Sequence, residues 1–258
     1  MEILVTTLAK KFASAFTRLT RIELVPSWRL DALAFELFLK RLFEKYSIDV
    51  VVDVGANLGQ YRDFIRYQVG YHGLIVSFEP DPECLKVLYE RSKKDKNWLV
   101  EPYALGRQNG ELELRVAADS RFNSFLGPDS AGLTTKLFKG KSETDHIEMV
   151  VVKKLNDYVN KFLDLGVGRP YLKLDTQGFD LEVLGGAEVF LQKVCALQTE
   201  VSVRPIYEGM PGYREVFEFL SATGFDLSQS FSVSHDPALR LIEFDCIAVN
   251  SKFVDILG

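Results

Sequence analysis

The stretch DVVVDVGANLGQY (residues 49–61) decides the fold of this chain. Its β-branched run, 50–54, is typical of a strand that is buried on both faces at the centre of a parallel sheet. Gly55 allows a tight bend after that strand, and Gly59 lets the following helix begin close to a ligand. A strand that passes to a helix through such a turn indicates a nucleoside-binding site. Glycine turns after strands are common, so this interpretation depends on the rest of the chain.

The composition predicts one α/β domain with extensions. The chain has 258 residues, of which 47% are hydrophobic, and can bury one large core. Its formal net charge of −5 argues against general nucleic-acid binding, which usually requires a basic protein. No apolar run approaches the ~20 residues that span a bilayer, and no secretory signal is recognised. The three cysteines, Cys84, Cys195 and Cys246, are predicted to be buried thiols, which favours a cytoplasmic location.

Two helices are predicted before the first strand. Residues 2–20 and 31–46 both carry apolar side chains at helical spacing, and Asp31 is the predicted cap of the second helix. We therefore assign 1–47 to an N-terminal helical extension and 48–258 to the main domain. The first helix either packs on the sheet or makes a membrane-surface or homodimer contact. Its few basic residues favour packing on the sheet.

From residue 48 onward, strand and helix patterns alternate. This predicts a Rossmann-like α/β fold with a doubly wound, mostly parallel seven-stranded sheet. The last two strands, 231–234 and 241–249, have no helix between them and are predicted to form an antiparallel hairpin. The segment 110–117 alternates with period two, as in a half-exposed edge strand, and 119–146 is predicted to be a long loop. The other predicted strands are 50–54, 74–79, 98–103, 171–175 and 196–201, and the other predicted helices are 61–69, 82–93, 181–191 and 213–223.

Charged side chains are predicted to meet at one edge of this sheet. Ligands of open α/β sheets bind outside the carboxyl ends of the strands, near the point where strand order reverses. Asp53 and Glu79 end the first two strands, and the spacing of Glu79 from the glycine turn suits a carboxylate that accepts from both ribose hydroxyls. Lys173 and Asp175 end the fourth predicted parallel strand, and Glu200 ends the fifth. Glu79 also fits an acid at a helix N-terminus, and Lys173 with Asp175 also fits a structural ion pair. Their joint occurrence favours a ligand site.

The glycine turn fits S-adenosyl-L-methionine better than NAD(P). A dinucleotide turn has a third glycine that seats the pyrophosphate on the helix N-terminus, and none follows Gly59. S-adenosyl-L-methionine has no pyrophosphate and needs an acid for its ribose and a small pocket for adenine, which Ala104 and Leu105 suit. The predicted C-terminal antiparallel hairpin also fits the seven-stranded sheet of methyltransferases better than the sheet of a dehydrogenase. An NAD(P)-dependent Rossmann oxidoreductase remains the alternative.

These residues together resemble the FkbM-type methyltransferases, which are class I S-adenosyl-L-methionine-dependent O-methyltransferases. The matching stretches are VDVGANLGQY (52–61), FEP (78–80), ALG (104–106), LKLDTQG (172–178), EVLGGA (182–187), Glu200 and FDC (244–246). The sequence departs from the family at Asn123-Ser124-Phe125 in the long loop, where a pair of serines is usual. The predicted cofactor-binding residues are Asp53, Gly55, Asn57, Gly59, Gln60, Tyr61, Glu79, Pro80, Ala104 and Leu105. The resemblance implies that Lys173, Asp175 and Glu200 line the reaction centre.

Methyl transfer from a sulfonium is an in-line displacement, and a hydroxyl acceptor must lose its proton, so a positioned base assists. Asp175 or Glu200 is the predicted base, and Lys173 orients a carboxylate or stabilises the developing oxyanion. His235, predicted in the loop between the last two strands, is a rival base because histidine titrates near neutrality. A further interpretation makes Asp175 and Glu200 ligands of a divalent cation such as Mg²⁺, which would activate the hydroxyl.

The resemblance implies a hydroxyl acceptor on a sugar or a natural product, and we favour a glycan or a glycoconjugate. Lys136, Lys139 and Lys141 in the long loop would suit an anionic sugar, but a solvated loop explains them equally well. A function of another class is a catalytically inactive module that binds a nucleoside and a partner protein through residues 1–46. The intact acids at the strand ends argue against it.

Overall fold

A computed structural model of the protein describes residues 29–129, 137–138 and 140–254, together with Thr20 and Pro26. The strands are β1 (Val50–Val54), β2 (Leu74–Phe78), β3 (Trp98–Glu101), β4 (Ala104–Leu105), β5 (Gly110–Ala117), β6 (Thr144–Lys153), β7 (Pro170–Leu174), β8 (Ala196–Ser202), β9 (Phe225–His235) and β10 (Leu241–Asn250). The α-helices are α1 (Leu30–Tyr46), α2 (Gln60–Phe64), α3 (Pro82–Ser92), α4 (Val159–Asp164), α5 (Asp180–Gly185), α6 (Glu188–Leu191) and α7 (Tyr213–Ala222). A π-helical turn, Ile65–Val69, continues α2.

The main sheet has seven strands in the order β3-β2-β1-β7-β8-β10-β9. Its central strand, β1, pairs in parallel with β2 on one side and with β7 on the other. β3 and β8 extend the two parallel halves, whereas β10 pairs antiparallel with both β8 and β9. Strand order therefore reverses between β1 and β7. The predicted fold class, a doubly wound, mostly parallel sheet with a C-terminal antiparallel hairpin, is confirmed.

Both faces of the sheet are covered, which explains why four of the five residues of β1 are valine. Val50, Val52 and Val54 belong to a cluster that includes α5 and α7 side chains. Val51 belongs to a second cluster with α1 and α3 side chains, among them Phe43. Each such buried aliphatic side chain contributes about 1.5–3 kcal/mol through the hydrophobic effect. α1 is thus part of the core.

Several element boundaries differ from the predicted ones. The predicted loop 119–146 ends in β6, which pairs with β5 in a separate three-stranded sheet, β4-β6-β5. The outward-facing residues of β6, Ile147, Met149 and Val151, are apolar although they are exposed, so the polar alternation that signals a strand is absent. The helix predicted over 181–191 is divided into α5 and α6. It breaks at Gly186, whose backbone lies so close to the Gly106 carbonyl that a Cβ there would be 2.0 Å from the oxygen.

Other expectations concern the termini and the cysteines. α1 begins at Leu30, so Asp31 lies inside its first turn instead of capping it. The predicted helix 2–20 falls outside the described residues except for Thr20, and the predicted division of the chain after residue 47 stays a prediction. The three cysteines are buried free thiols, as predicted. A bilayer-spanning helix is absent from the part of the chain that the structure describes.

Candidate functional site

A cleft of about 780 Å³ lies at the carboxyl ends of β1, β2, β7 and β8, where strand order reverses. It has two chemically different ends. The glycine-turn end is formed by Gly55, Asn57, Gln60, Glu79, Pro80, Ala104 and Leu105. The acidic end is formed by Asp175, Glu200, Glu243 and Asp245. Lys173 also lines the cleft and contacts Asp175 of the acidic end.

The glycine turn needs glycine at residue 55. Gly55 has a φ of +78°, and a Cβ on it would lie 2.0 Å from the carbonyl oxygen of Asp175. The backbone N–H groups of Gly55 and Ala56 both donate to the Phe78 carbonyl, at 3.0 and 3.1 Å. The turn after β1 is therefore held directly against the ends of β7 and β2. This close backbone contact brings the residues at the ends of three strands into one cleft.

Glu79 is fixed by the turn that it faces. Its Oε2 accepts a hydrogen bond from the backbone N–H of Asn57 at 2.7 Å, and its Oε1 accepts one from the backbone N–H of Asp81 at 2.9 Å. The side chain is buried. Burial raises the pKa of this carboxyl to about 7, although the two N–H donors oppose the rise. The carboxylate thus has a fixed orientation and retains lone pairs for a ligand.

The structure places the remaining predicted cofactor residues in two groups. Tyr61 lines the cleft together with the residues of the glycine-turn end. Gly59 and Asp53 do not line it. A Cβ on Gly59 would point toward the Trp98 and Leu88 side chains, at 3.0 and 3.1 Å, so this residue faces the core. Asp53 is fully buried and lies beneath Lys173.

Lys173 joins a buried polar chain to the cleft. Its ammonium lies 3.2 Å from Asp53 Oδ1 and 3.4 Å from Asp175 Oδ2. The other Asp53 oxygen, Oδ2, accepts a hydrogen bond from Ser77 Oγ at 3.1 Å. Ser77 Oγ in turn accepts a hydrogen bond from Trp98 Nε1 at 2.9 Å. Burial alone would lower the pKa of Lys173, but the carboxylates of Asp53 and Asp175 outweigh it and raise the pKa above the ordinary value. Lys173 is therefore a fixed cation.

A glutamine holds the two predicted catalytic carboxylates. Gln177 Nε2 donates to Asp175 Oδ1 at 3.0 Å and to Glu200 Oε2 at 3.1 Å. Its Oε1 accepts from the Tyr207 hydroxyl at 2.9 Å, which fixes the amide orientation. Gln177 has a φ of +51°, an uncommon conformation that is typical of functional sites. The structure therefore brings Asp175 and Glu200 together, as the strand ends predict, through a residue that the sequence did not single out.

The sequence reasoning missed the contribution of the C-terminal hairpin. Asp245 lies opposite Glu200 in the pairing of β10 with β8, and Glu243 lies two residues away on the same face. Asp245 Oδ1 accepts from Gln198 Nε2 at 2.9 Å, and Gln198 Oε1 accepts from the Tyr61 hydroxyl at 2.8 Å. Two acids with period two on a buried strand were the available signal.

Burial and mutual repulsion raise the pKa values of the carboxyls at the acidic end. Burial, and then the charges of Asp175 and Glu243, raise the pKa of Glu200 well above its ordinary value. Burial, followed by the charge of Asp175, raises the pKa of Glu243 to about 7. Burial also raises the pKa of Asp245 to about 6, although the hydrogen bond from Gln198 opposes it. Perturbed carboxyls in a cleft are typical of binding and catalytic sites.

The structure does not bring His235 to the cleft. It is the last residue of β9, paired with Leu241, and its side chain is exposed. The predicted Mg²⁺ site at Asp175 and Glu200 also lacks support. Within the described ranges no group of three or more His, Cys, Asp or Glu side chains could hold a metal ion, and the Gln177 amide lies between the two carboxylates.

The segment predicted as a long loop reaches the cleft from above the sheet. Ser120 Oγ donates to Asn57 Oδ1 at 3.1 Å, and Asn123 Nδ2 donates to Asp81 Oδ2 at 2.8 Å. Ser124 Oγ donates to the Gln177 carbonyl at 2.8 Å. Asn123 and Ser124, where the sequence departs from the family pattern, thus touch both ends of the cleft. Lys141 lines the cleft, whereas Lys136 and Lys139 lie outside the described residues.

Comparisons with known proteins give a family. Among solved structures, a methyltransferase FkbM from Methylobacillus flagellatus KT is 16% identical, with 77% of this chain and 43% of that chain covered and a TM-score of 0.47. This chain therefore spans less than half of that one. The S-adenosyl-L-methionine-bound magnesium protoporphyrin IX methyltransferase of Synechocystis PCC 6803 is 11% identical, with 95% and 96% covered and a TM-score of 0.47. The fibrillarin of Aeropyrum pernix, also with bound S-adenosyl-L-methionine, is 13% identical, with 78% and 66% covered and a TM-score of 0.43.

No curated protein matches the chain. The family described as the methyltransferase FkbM domain matches residues 53–227, which is more than half of the sequence. The match begins at the acid of the glycine turn and includes Glu79, Lys173, Asp175 and Glu200. The chain belongs to the FkbM methyltransferase family.

Proposed function

We propose that this protein is an S-adenosyl-L-methionine-dependent O-methyltransferase that methylates a hydroxyl of a sugar, a glycoconjugate or a natural product. One observation carries the proposal. A single cleft joins a nucleoside-type turn, with Glu79 held for a ribose, to an acidic end beside the fixed cation Lys173. Membership of a methyltransferase family supports the same conclusion.

The glycine-turn end has the groups that the donor requires. Each Glu79 oxygen already accepts one backbone N–H and keeps lone-pair capacity for a ribose hydroxyl. Ala104 and Leu105 are small and apolar and would lie beside the adenine, and the Gly55 turn would approach the amino-acid moiety. When bound, S-adenosyl-L-methionine supplies an activated methyl group. The protein's part is to align the acceptor oxygen with that group and to exclude water.

At the acidic end we assign the base to Asp175. Its side chain is 44% exposed, whereas burial, and then the charges of Asp175 and Glu243, raise the pKa of Glu200 well above its ordinary value. As the acceptor oxygen forms its bond to the methyl carbon and the bond from that carbon to sulfur breaks, the hydroxyl proton passes to Asp175. Lys173, 3.4 Å from Asp175, holds that carboxylate in place.

Donor binding is tested by thermal shift with S-adenosylhomocysteine, with NAD and with EDTA. We expect stabilisation by S-adenosylhomocysteine alone. In Glu79→Gln the affinity for S-adenosylhomocysteine falls about tenfold, because hydrogen bonds to a charged group are strong. Glu83→Gln, on the exposed side of α3, is the matched control and keeps the affinity. Stabilisation by NAD without S-adenosylhomocysteine would instead favour the oxidoreductase alternative.

Catalysis is tested by transfer of radiolabelled methyl groups over a panel of saccharides. We expect Asp175→Asn to lower kcat about 100-fold, the usual effect of losing a general base. Glu200→Gln keeps the shape of the side chain and is expected to lose less. His235→Ala, outside the cleft, retains native turnover and serves as the control. Native turnover in Asp175→Asn would contradict the carboxylate base. Loss of activity in EDTA that Mg²⁺ restores would assign the metal role instead.

A further inference from the structure

The acidic end contains like charges that the strand pairing places side by side. Glu200 on β8 lies directly opposite Asp245 on β10. Glu243 lies two residues before Asp245, opposite Ser202 on β8 and Ser234 on β9. Like charges at directly opposed positions of a sheet destabilise it. Because the fold does not need this destabilising arrangement of acids, the arrangement indicates a role in binding.

The cations of the cleft do not neutralise this group. Among the described residues that line the cleft, the cations are Lys173, Arg121 and Lys141. Lys173 lies between Asp53 and Asp175, and Arg121 pairs with Asp119 at 2.6 Å. The charge of Lys141 also acts on Asp119, which is outside the acidic end. Among the described residues, none of these three cations therefore forms an ion pair with Glu200, Glu243 or Asp245.

A second and independent observation is an unsatisfied oxygen. Glu243 lines the cleft, and only 5% of this residue is exposed. In the part of the chain that the structure covers, Glu243 Oε1 has no hydrogen-bond partner, nor do the opposing hydroxyls of Ser202 and Ser234. The Ser234 hydroxyl is close enough to Glu243 to oppose the rise in its pKa, but the distance and angles between the two groups are not those of a hydrogen bond. Buried carboxylate oxygens are normally hydrogen-bonded, so a donor from a ligand would satisfy this one.

The chemistry of the group selects the donor. The described side chains form no set that could hold a metal ion. A neutral hydroxyl would satisfy the Glu243 oxygen but would leave the repulsion of Glu243 by Asp175 and Asp245 in place. A protonated amine meets both requirements, because an ammonium carries three hydrogen-bond donors and a positive charge.

We propose that Glu243, beside Asp245, binds a protonated amino group of the methyl acceptor, so that the acceptor is an amino-bearing sugar or polyol. This inference rests on the proposed function, since it concerns the acceptor of the same cleft. The ammonium lies beside Glu243 on the cleft face of the sheet, and the hydroxyl that receives the methyl group lies nearer Asp175. The amine anchors the acceptor, and Asp175 acts on its hydroxyl.

The test measures acceptor affinity in the presence of saturating S-adenosylhomocysteine. The probes are D-glucose, the three glucose derivatives with an amino group at carbon 2, 3 or 6, and the N-acetyl form of each. We expect at least one amino sugar to bind about tenfold more tightly than glucose and than its own N-acetyl form, since a charge-assisted bond is gained. Equal affinities across all these sugars would overturn the inference.

Two variants locate the effect. Glu243→Gln replaces a carboxylate by an amide of the same shape, and we expect the tenfold preference for the amine to disappear. Glu218→Gln, an exposed residue on α7 outside the cleft, keeps the preference. A preference that survives in Glu243→Gln would contradict the assignment. Absence of S-adenosylhomocysteine binding in the native protein would overturn the proposed function, whereas donor binding without amine preference overturns only this inference.

Discussion

The two ends of the cleft bury the same chemical group in opposite ways. At the glycine-turn end, both oxygens of Glu79 accept hydrogen bonds from backbone N–H groups of the protein. At the acidic end, Glu243 Oε1 has no partner among the described residues, and the charges of Asp175 and Asp245 repel its carboxylate. Burial raises the pKa of each of these two carboxyls to about 7. Backbone N–H donors oppose the rise at Glu79, whereas Glu243 has no such donors in the described part of the chain. The first end is completed by the protein itself, and the second requires a ligand. Substitutions at the two ends should therefore act in opposite directions.

The largest effect is expected at Lys173, which lies against a fully buried acid. Lys173→Met leaves Asp53 as an uncompensated charge in the core, and the free energy of unfolding should fall by about 3–5 kcal/mol. Urea denaturation measures it. Adding Asp53→Asn should restore most of the loss, and Lys86→Met, in an exposed pair on α3, should stay within about 0.5 kcal/mol of the native protein. A double variant as unstable as the single one would show that the pair is not coupled.

The next effect concerns the turn that defines the first end. Gly55→Ala places a methyl group 2.0 Å from the Asp175 carbonyl oxygen at a φ of +78°, so the backbone must move. We expect a loss of about 3 kcal/mol in the free energy of unfolding. Gly168→Ala, which has no atom within 4 Å of the added methyl group, is the matched control. If both variants unfolded at the same urea concentration, the close contact of the two turns would be disproved.

The same contrast explains which parts of the site were predictable. The glycine-turn end comes from one short stretch and the acid at the end of the next strand, so its residues follow from local pattern and from the rule for parallel strands. Lys173 and Asp175 are two residues apart on a strand, which predicts that they face the same side. These features depend on local sequence and on strand order, and both can be predicted from the sequence.

The acidic end depends on information that the sequence does not display. Glu243 joins Glu200 only through the register of β10 against β8, and an antiparallel register over a long connection cannot be read from local pattern. Gln177 becomes a bridge because its backbone has a positive φ. His235 was judged by its residue type, and its position at the exposed end of β9 was not predictable from its neighbours.

A direct comparison uses the same substitution at both ends. Glu79→Gln turns an amide N–H₂ toward one of two backbone N–H donors, so a hydrogen bond is lost and two donors face each other. We expect the free energy of unfolding to fall by about 2 kcal/mol. At Glu243 the same change removes a charge that has like-charged neighbours, and stability should rise. Destabilisation by both substitutions to the same extent would show that the two ends do not differ.

The smallest effect, and the most specific, is the pH dependence of that gain. The pKa of Glu243 is about 7 in the folded protein and rises from an ordinary value near 4.5, so the unfolded chain releases this proton first as pH increases. The contribution of Glu243 to the free energy of unfolding is therefore complete below about pH 4.5 and is lost as pH rises through about 7. Glu243→Gln should unfold like the native protein at pH 4.5 and be more stable by about 1–2 kcal/mol at pH 8. Urea titrations at the two pH values measure this difference. A gain of equal size at both would mean that packing, and not the charge of Glu243, sets its effect on stability.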